Sequence, residues 1–263
     1  RFRRLRDLMR APRLTQLFFA TTRATTRMSS SWRVVDGDGN GGRGLVATKG
    51  DPKTTIVWLH GLGDSAHGWV DAFTSDAIHV DDVKVILPTA SDMPVTVNGG
   101  MSMAAWYDIV ALEKGSPVDS AGIAASVARV AELIANEETV VLGGFSQGGA
   151  ITLSAALSKG FPLNKIAAFV SLSAYLPAAD TYDAAPRKVP FLLCHGDVDP
   201  IIDHTAGKAA HEKLLALDAD AKFHLFKGMA HSARPDEFQL ISAFLNDNVL
   251  KGDKKKSTEN RGL

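Results

Sequence analysis

Cysteine is almost absent from this sequence, in which Cys194 is the single example among 263 residues. A framework of internal disulfide bonds is therefore excluded, and the shortage fits a protein of a reducing compartment. Cys194 follows the apolar run at residues 191–193. We therefore expect a buried strand residue there in preference to a reactive thiol.

An excess of charge of either sign and a long hydrophobic run are also missing. The 29 Lys and Arg residues balance 29 Asp and Glu residues, so no overall field attracts a phosphate backbone or an anionic membrane. We expect no nucleic acid partner. No apolar stretch reaches the roughly 18 residues that a spanning helix requires, which predicts no transmembrane segment and at most transient contact with a membrane surface.

The two ends of the chain differ in composition from its middle. Residues 1–27 combine many arginines with Thr, Leu and Phe against one acid, Asp7, a composition typical of a mitochondrial or plastid presequence. The alternative is a non-native extension ahead of a shorter protein that begins at Met28. We assign residues 1–31 to this leader or extension and residues 251–263 to a disordered polar tail. The expected location is the cytoplasm, or one of those organelles if the presequence is functional.

Between residues 32 and 250, short β-branched or apolar runs alternate with longer amphipathic runs. The alternation predicts a single α/β domain, with a mostly parallel sheet covered by helices on both faces. The predicted strands are residues 54–59, 83–87, 139–145, 167–172, 191–194 and 221–226. The predicted helices are residues 120–135, 148–157, 205–217 and 235–250.

Two local features refine this prediction. Ser120 stands at the start of the first predicted helix, where its hydroxyl is placed to cap the helix. Residues 89–103 are loop-like but carry several Met and Val side chains. A long apolar loop of this kind is either a lid or binding loop, or it packs onto the core.

The pattern G-x-S-x-G occurs once, in the run Gly144-Phe145-Ser146-Gln147-Gly148, between a predicted strand and a predicted helix. A serine at such an elbow is held in a strained turn that exposes its hydroxyl, and the flanking glycines allow strand and helix to approach closely. The amides at the start of the helix point to the same place, where an oxyanion would form. Ser146 is therefore the candidate nucleophile, and an ordinary serine in a glycine-rich turn is the alternative.

A nucleophilic serine needs a base, and the base needs an acid that fixes its tautomer. Where a strand-to-helix elbow carries the nucleophile, the three residues occur along the chain in the order Ser, then Asp or Glu, then His. His231 follows the last core strand in a loop and is the candidate base. Four other histidines lie near the acid, in or beside a helix, or within a strand: His195, His204, His211 and His224. Asp197 and Asp199 both follow the preceding strand, and spacing alone does not choose between them.

A second oxyanion donor is expected at an early junction between a strand and a loop. The glycine-rich turn after the first predicted strand fits this requirement, and we nominate the backbone N–H groups of Leu62 and Gln147. The alternative is a plain turn followed by a helix that Asp64 or Ser65 caps.

Four segments stand in order along the chain: His60-Gly61-Leu62-Gly63-Asp64, Gly144-Phe145-Ser146-Gln147-Gly148-Gly149-Ala150, His195-Gly196-Asp197-Val198-Asp199-Pro200 and Gly228-Met229-Ala230-His231. Together they resemble the acyl-protein thioesterase and carboxylesterase family, also called the phospholipase/carboxylesterase family. The resemblance runs from about residue 54 to residue 250. It implies the α/β-hydrolase fold, and its pattern His-Gly-x-x-Asp assigns the triad acid to Asp199.

The resemblance also implies the reaction. Members of this family remove long acyl chains from protein cysteines, hydrolyse lysophospholipids or cleave short esters, without a metal or an organic cofactor. The expected partner is therefore an acylated protein or a lipid or ester substrate, and we expect a monomer or a weak homodimer.

For the acyl group we nominate an uncharged, mainly apolar set: Met101, Met103, Trp106, Tyr175 and Leu176. The absence of charge favours a hydrocarbon chain, and the alternative is that these residues only fill the core. Two other functions stay open. One is a short-chain carboxylesterase without a protein substrate, and the other is a ligand receptor or scaffold, which the complete triad argues against.

Overall fold

The computed structural model describes residues 31–111, 115–186 and 188–250. The predicted leader, apart from Ser31, and the predicted tail at residues 251–263 lie outside the described residues.

Ten strands form the sheets of the described chain. They are β1 (Arg33–Asp36), β2 (Gly44–Lys49), β3 (Thr54–Leu59), β4 (Val83–Pro88), β5 (Asp92–Val95), β6 (Met101–Ala104), β7 (Thr139–Phe145), β8 (Ile166–Leu172), β9 (Phe191–Gly196) and β10 (Ala221–Phe226). Eight of them make one sheet in the order β1-β2-β4-β3-β7-β8-β9-β10. β2 pairs antiparallel with β1 and β4, and the remaining pairs are parallel. The predicted, mostly parallel sheet is confirmed.

The described residues contain five α-helices, of which four connect strands and the last follows β10: α1 (Val70–Thr74), α2 (Ser120–Leu133), α3 (Gln147–Leu157), α4 (His204–Ala216) and α5 (Pro235–Leu245). Short 3-10 turns occur at Ala66–Gly68, Thr96–Asn98, Leu163–Lys165 and Ala179–Thr181, and a π-helical turn at Asn246–Leu250 follows α5. The buried side chains of α2, α3 and α4 join one apolar cluster, and those of α1 and α5 join another. Helices therefore cover both faces, as predicted.

The central strand β3 shows why both faces must be covered. All six of its residues are buried, and side chains of a strand alternate between the two faces of the sheet. Val57 and Leu59 belong to one cluster, whereas Ile56 and Trp58 belong to the other. A strand apolar on both sides is stable only between two helical layers.

The structure differs from the predictions in the region described as a loop. Residues 92–104 form a β-hairpin in which β5 and β6 pair antiparallel. Gly99 and Gly100 form its turn with φ of 69° and 76°, a backbone region that glycine enters without strain. The Met and Val residues of the two strands pair across the hairpin. Strands β1 and β2 were also not predicted, because all of β1 is exposed and the intervening stretch is rich in glycine.

The predicted capping of α2 by Ser120 is wrong. Asp119 occupies the N-cap position, where its side chain accepts a hydrogen bond from the Gly122 N–H at 2.9 Å. Its second carboxylate oxygen accepts from the Asp108 N–H, so the carboxylate joins the helix to the preceding loop. A serine hydroxyl has one oxygen and could not reach both N–H groups in this way. The last predicted helix is also shorter, since its α-helical part ends at Leu245.

None of the helices in the three described ranges has the length and apolar character of a membrane span.

Candidate active site

Ser146 lies at the tight turn between β7 and α3. Its backbone has φ 54° and ψ −118°, an unfavourable conformation for a residue with a Cβ, and such strain persists only where the surroundings enforce it. The Ser146 N–H donates to Leu172 O at 2.8 Å, which ties the turn to the neighbouring strand β8. The side chain thus projects from the sheet edge at the start of α3, as the G-x-S-x-G pattern predicts.

One glycine on each side of the serine, Gly144 and Gly148, allows this turn to form. A Cβ on Gly144 would lie 2.5 Å from the carbonyl carbon of Gly148, and a Cβ on Gly148 would lie 2.2 Å from Leu59 O. Real Cβ contacts are never this short, so strand and helix need glycine at both places.

Ser146, His231 and Asp199 form one hydrogen-bonded line. His231 Nε2 lies 2.9 Å from Ser146 Oγ, and His231 Nδ1 lies 2.7 Å from Asp199 Oδ2. A carboxylate only accepts hydrogen bonds, so Nδ1 carries the proton and Nε2 is free to accept the proton of the serine hydroxyl. The imidazole also packs on the Phe145 ring, with 4.9 Å between ring centroids. Its side chain is 15% exposed, so a substrate can reach it.

Asp199 is held as a buried carboxylate. Burial alone would raise the pKa of this carboxyl, but hydrogen bonds from His195 and His231 outweigh it and hold the pKa well below its usual value. The Ile201 and Ile202 N–H groups donate to Oδ1 at 2.8 and 2.9 Å. Asp199 is therefore charged across the range in which enzymes work, and its orientation is fixed.

The structure separates the two acids that the spacing left tied. Asp197 Oδ1 accepts a hydrogen bond from the Gly228 N–H at 2.6 Å, so this side chain fastens the loop after β9 to the loop after β10. His231 is hydrogen-bonded to Asp199 and not to Asp197. Cys194 is buried in β9 and His224 is exposed on β10, as the sequence predicts.

Two backbone N–H groups were predicted to form an oxyanion hole, and the loop that holds one of them lies beside the serine, since a Cβ on Gly61 would be 3.4 Å from the Ser146 Cβ. Leu62 lies in the loop after β3, where no protein acceptor among the described residues takes up its N–H. Gln147 is the first residue of α3, and the N–H groups of a first helical turn have no partner within the helix. Both groups can therefore donate to an oxyanion.

The five residues nominated for the acyl group lie in three settings. Met101 is 51% exposed near the hairpin turn. Met103 is half-buried beside the loop after β3, where a Cβ on Gly63 would be 3.6 Å from the Met103 sulfur. Trp106 and Leu176 are buried in the core cluster, and half-buried Tyr175 shares a hydroxyl–hydroxyl hydrogen bond of 2.8 Å with Tyr107.

Sequence reasoning placed His195 near the acid and used the backbone N–H of Gln147, but it assigned no contact in this site to either side chain. His195 Nε2 lies 3.4 Å from Asp199 Oδ2 and 2.9 Å from Ile202 O, so a second imidazole supports the triad carboxylate. The side-chain amide of Gln147 contacts the backbone of the segment after β6. Both residues belong to the quoted motifs, but only the fold shows what their side chains touch.

The eight-stranded sheet together with this line of serine, imidazole and carboxylate defines a class of enzyme, the serine hydrolases of the α/β-hydrolase fold. The profile of the phospholipase/carboxylesterase family matches residues 41–249. The chain belongs to this family, and the predicted resemblance is confirmed.

Relatives of known name agree with that assignment. The chain is 35% identical over 227 residues to a Neurospora crassa protein named acyl-protein thioesterase 1, covering 79% of this chain and 91% of that protein. A Mycosarcoma maydis protein of the same name is 37% identical over 220 residues, covering 74% and 90%. The crystal structure of Zea mays acyl-protein thioesterase 2 superposes with a TM-score of 0.72 at 31% identity, covering 83% of this chain and 99% of that one.

Proposed function

We propose that this enzyme is an acyl-protein thioesterase, which hydrolyses the thioester between a long acyl chain and a protein cysteine. The observation that carries the proposal is the uncharged lining beside the oxyanion donors, where Met103 lies against Gly63 and Trp106 is hydrogen-bonded to Gln147. The relatives named acyl-protein thioesterase support the same substrate class. Lysophospholipids are the second substrate class that this lining would accept.

The first half of the reaction acylates the enzyme. Ser146 Oγ attacks the acyl carbonyl while its proton passes to His231 Nε2, 2.9 Å away. The carbonyl oxygen becomes an oxyanion that the Leu62 and Gln147 N–H groups stabilise. Such a donor is typically worth about 10²- to 10³-fold in rate. The protonated His231 then gives its proton to the departing thiolate or alkoxide, leaving an acyl ester on Ser146.

The second half uses the same groups in reverse. His231 takes a proton from water, the resulting hydroxide attacks the acyl ester, and the same two amides hold the second oxyanion. The tetrahedral intermediate collapses, Ser146 recovers its proton from His231, and the carboxylic acid leaves. Asp199 stays ionised throughout and stabilises the imidazolium that forms twice in each cycle.

The acyl chain supplies the specificity. Met101, Met103, Trp106, Tyr175 and Leu176 offer no charge to an anionic acyl group, whereas each CH₂ group that they cover contributes about 0.8 kcal/mol. Methionine side chains adapt their shape to a flexible chain. We therefore assign these residues to the acyl site and expect longer chains to be preferred.

An acyl-chain-length series on the purified protein tests the proposal. Thioesters and oxygen esters with chains from acetyl to palmitoyl are compared by kcat/KM, with Ser146→Ala as the inactive control. A rise in kcat/KM towards long-chain thioesters is expected. A maximum at acetyl esters, with no turnover of palmitoyl thioesters, would instead assign the protein as a short-chain carboxylesterase.

The cellular setting follows from the substrate. We propose a cytoplasmic enzyme that acts on acylated proteins as a monomer or a weak homodimer and touches the membrane surface only transiently. A mitochondrial or plastid location replaces the cytoplasm if residues 1–27 act as a presequence.

A further inference from the structure

The segment of residues 104–107, which begins at the last residue of β6, is hydrogen-bonded to the loop that carries one oxyanion donor. The Gly63 N–H donates to Ala104 O at 2.8 Å. The Trp106 indole N–H donates to His60 O at 2.8 Å, and its ring lies against the His60 ring with 5.2 Å between centroids. These contacts hold the loop on both sides of Leu62.

The same segment is bonded to the residue that carries the other donor. The Gln147 side chain accepts from the Trp106 N–H at 2.9 Å and donates to Tyr107 O at 2.7 Å. The Ser126 hydroxyl donates to Trp106 O from helix α2. All of these groups are buried, where an unmade hydrogen bond is costly. One segment therefore sets the positions of both halves of the oxyanion hole.

The His60 ring acts directly on the peptide plane that carries the Leu62 N–H. His60 Nδ1 lies 2.6 Å from Gly61 O, and the Ala90 N–H donates to His60 Nε2 at 3.0 Å. Because Nε2 accepts, Nδ1 carries the proton and donates to the Gly61 carbonyl. In a trans peptide the N–H points opposite to the C=O. Because Gly61 O is held on the imidazole, the Leu62 N–H of the same peptide points away from the imidazole.

Burial keeps this ring in the required form. His60 is 1% exposed, and burial lowers the pKa of its imidazole. The ring is therefore neutral in the pH range where the triad works, with one donor and one acceptor nitrogen. Both nitrogens already have backbone partners, which excludes a role for His60 as a second base.

We propose that His60 is a positioning residue for the oxyanion hole. Its Nδ1–H group fixes the orientation of the Gly61–Leu62 peptide, and the Trp106 indole N–H holds the same loop in place relative to Gln147. The inference rests on the proposed hydrolase mechanism, because it concerns how well the Leu62 N–H meets the oxyanion. Neither side chain touches the reacting atoms.

Two nearly isosteric replacements test the role of His60. In His60→Asn the side-chain NH₂ occupies nearly the place of Nδ1–H and can donate to Gly61 O, whereas His60→Leu has the same shape without a donor. Both variants lose the acceptor for the Ala90 N–H, so their melting temperatures should fall by similar amounts. Only the bond to the Gly61 carbonyl distinguishes them.

The measurements are kcat and KM on an acyl ester and the affinity for a trifluoromethyl ketone. Ser146 Oγ adds to the carbonyl carbon of that inhibitor while the serine proton passes to His231. The former carbonyl oxygen becomes an oxyanion that occupies the oxyanion hole. For His60→Leu we expect kcat to fall about 10- to 100-fold, below the loss of a whole donor, with little change in KM and a parallel loss of ketone affinity. His60→Asn should recover most of both.

A second variant and a distant control complete the design. Trp106→Phe keeps an aromatic ring and removes the indole N–H, and we expect the same loss of kcat and of ketone affinity to a smaller degree. Thr55→Val removes a partly buried hydrogen bond to Glu137 at the opposite end of β3 and should lower stability without changing kcat or ketone affinity. If His60→Leu does not fold, Trp106→Phe decides with an acetyl ester and a short-chain ketone, which do not use the acyl site to which Trp106 was also assigned.

The results separate this inference from the proposed function. Equal kcat and equal ketone affinity in His60→Asn and His60→Leu, or a Trp106→Phe variant that behaves like Thr55→Val, would overturn the positioning role while leaving the hydrolase assignment intact. An inactive wild-type protein on every acyl ester and thioester would instead overturn the proposed function.

Discussion

Replacing Asp199 by Asn is expected to reverse the tautomer of the catalytic imidazole. One oxygen of Asp199 accepts from the N–H groups of Ile201 and Ile202, and the other faces His231 Nδ1 at 2.7 Å. An Asn side chain has a single acceptor oxygen, which must stay with the two backbone N–H groups to avoid leaving them unpaired. Its NH₂ group is therefore forced towards His231.

The consequence for the nucleophile follows from the ring. An NH₂ group donates to Nδ1, so the proton of the neutral imidazole moves to Nε2 and points at Ser146 Oγ, 2.9 Å away. A protonated Nε2 cannot accept the serine proton. The same change in a serine protease costs about 10⁴-fold in kcat, and we expect a loss of that size with little change in KM.

The control is the neighbouring acid. Asp197 accepts one hydrogen bond, from the Gly228 N–H, and Asn keeps an oxygen that can accept it. Asp197→Asn should therefore retain kcat within a few-fold and show its effect in the melting temperature. Steady-state kinetics on a chromogenic acyl ester, with thermal unfolding of both variants, measure the two effects separately.

An Asp197→Asn variant that folds stably but has lost activity, beside an active Asp199→Asn variant, would refute the reasoning. Equal and modest losses in both would show that neither carboxylate fixes the tautomer.

Three further outcomes are expected. Burial raises the pKa of the Glu237 carboxyl from 4.5 to about 8, so the folded state keeps a proton that the unfolded chain releases. The free energy of unfolding should then fall as pH rises from about 4.5 to 8. In urea titrations the stability of Glu237→Gln relative to the wild type should rise by on the order of 3 kcal/mol from pH 5 to pH 8. A stability difference that stays constant with pH would contradict this. Gly148→Ala places a Cβ 2.2 Å from Leu59 O and should lose about 1–3 kcal/mol or more, whereas a melting temperature equal to that of the wild type would show that the turn has room. Deleting residues 1–27 should leave turnover intact and shift a fluorescent fusion between compartments, and an identical distribution with and without them would show that they are not an address.

Local signals in the sequence were sufficient for the parts of the site that depend on local structure. The elbow at Ser146 needs only a strand, a turn with close-packed glycines and a helix, all of which a single stretch of sequence contains. The position of His231 followed from its place after the last core strand. Choosing Asp199 over Asp197 required the family resemblance, because both acids lie in one loop and only the fold shows which oxygen meets the imidazole.

The features that could not be predicted depend on contacts between distant segments. The β5–β6 hairpin contains a proline and a turn rich in glycine, which are signals of a loop, and its strands pair with each other and not with the main sheet. The capping of α2 depended on Asp119 also reaching Asp108. The role of the His60 ring depends on Ala90, 30 residues away, and no pattern around His60 specifies that partner.

Trapping the acyl-enzyme tests the central claim most directly. The protein is mixed with a palmitoyl thioester of a cysteine peptide, quenched in acid within the first turnover, digested and examined by mass spectrometry. The mechanism predicts a palmitoyl adduct on the peptide that contains Ser146, formed in the wild type and absent from Ser146→Ala, which should also release no free thiol. Thioester cleavage that persists in Ser146→Ala, or an adduct on another residue, would contradict the account.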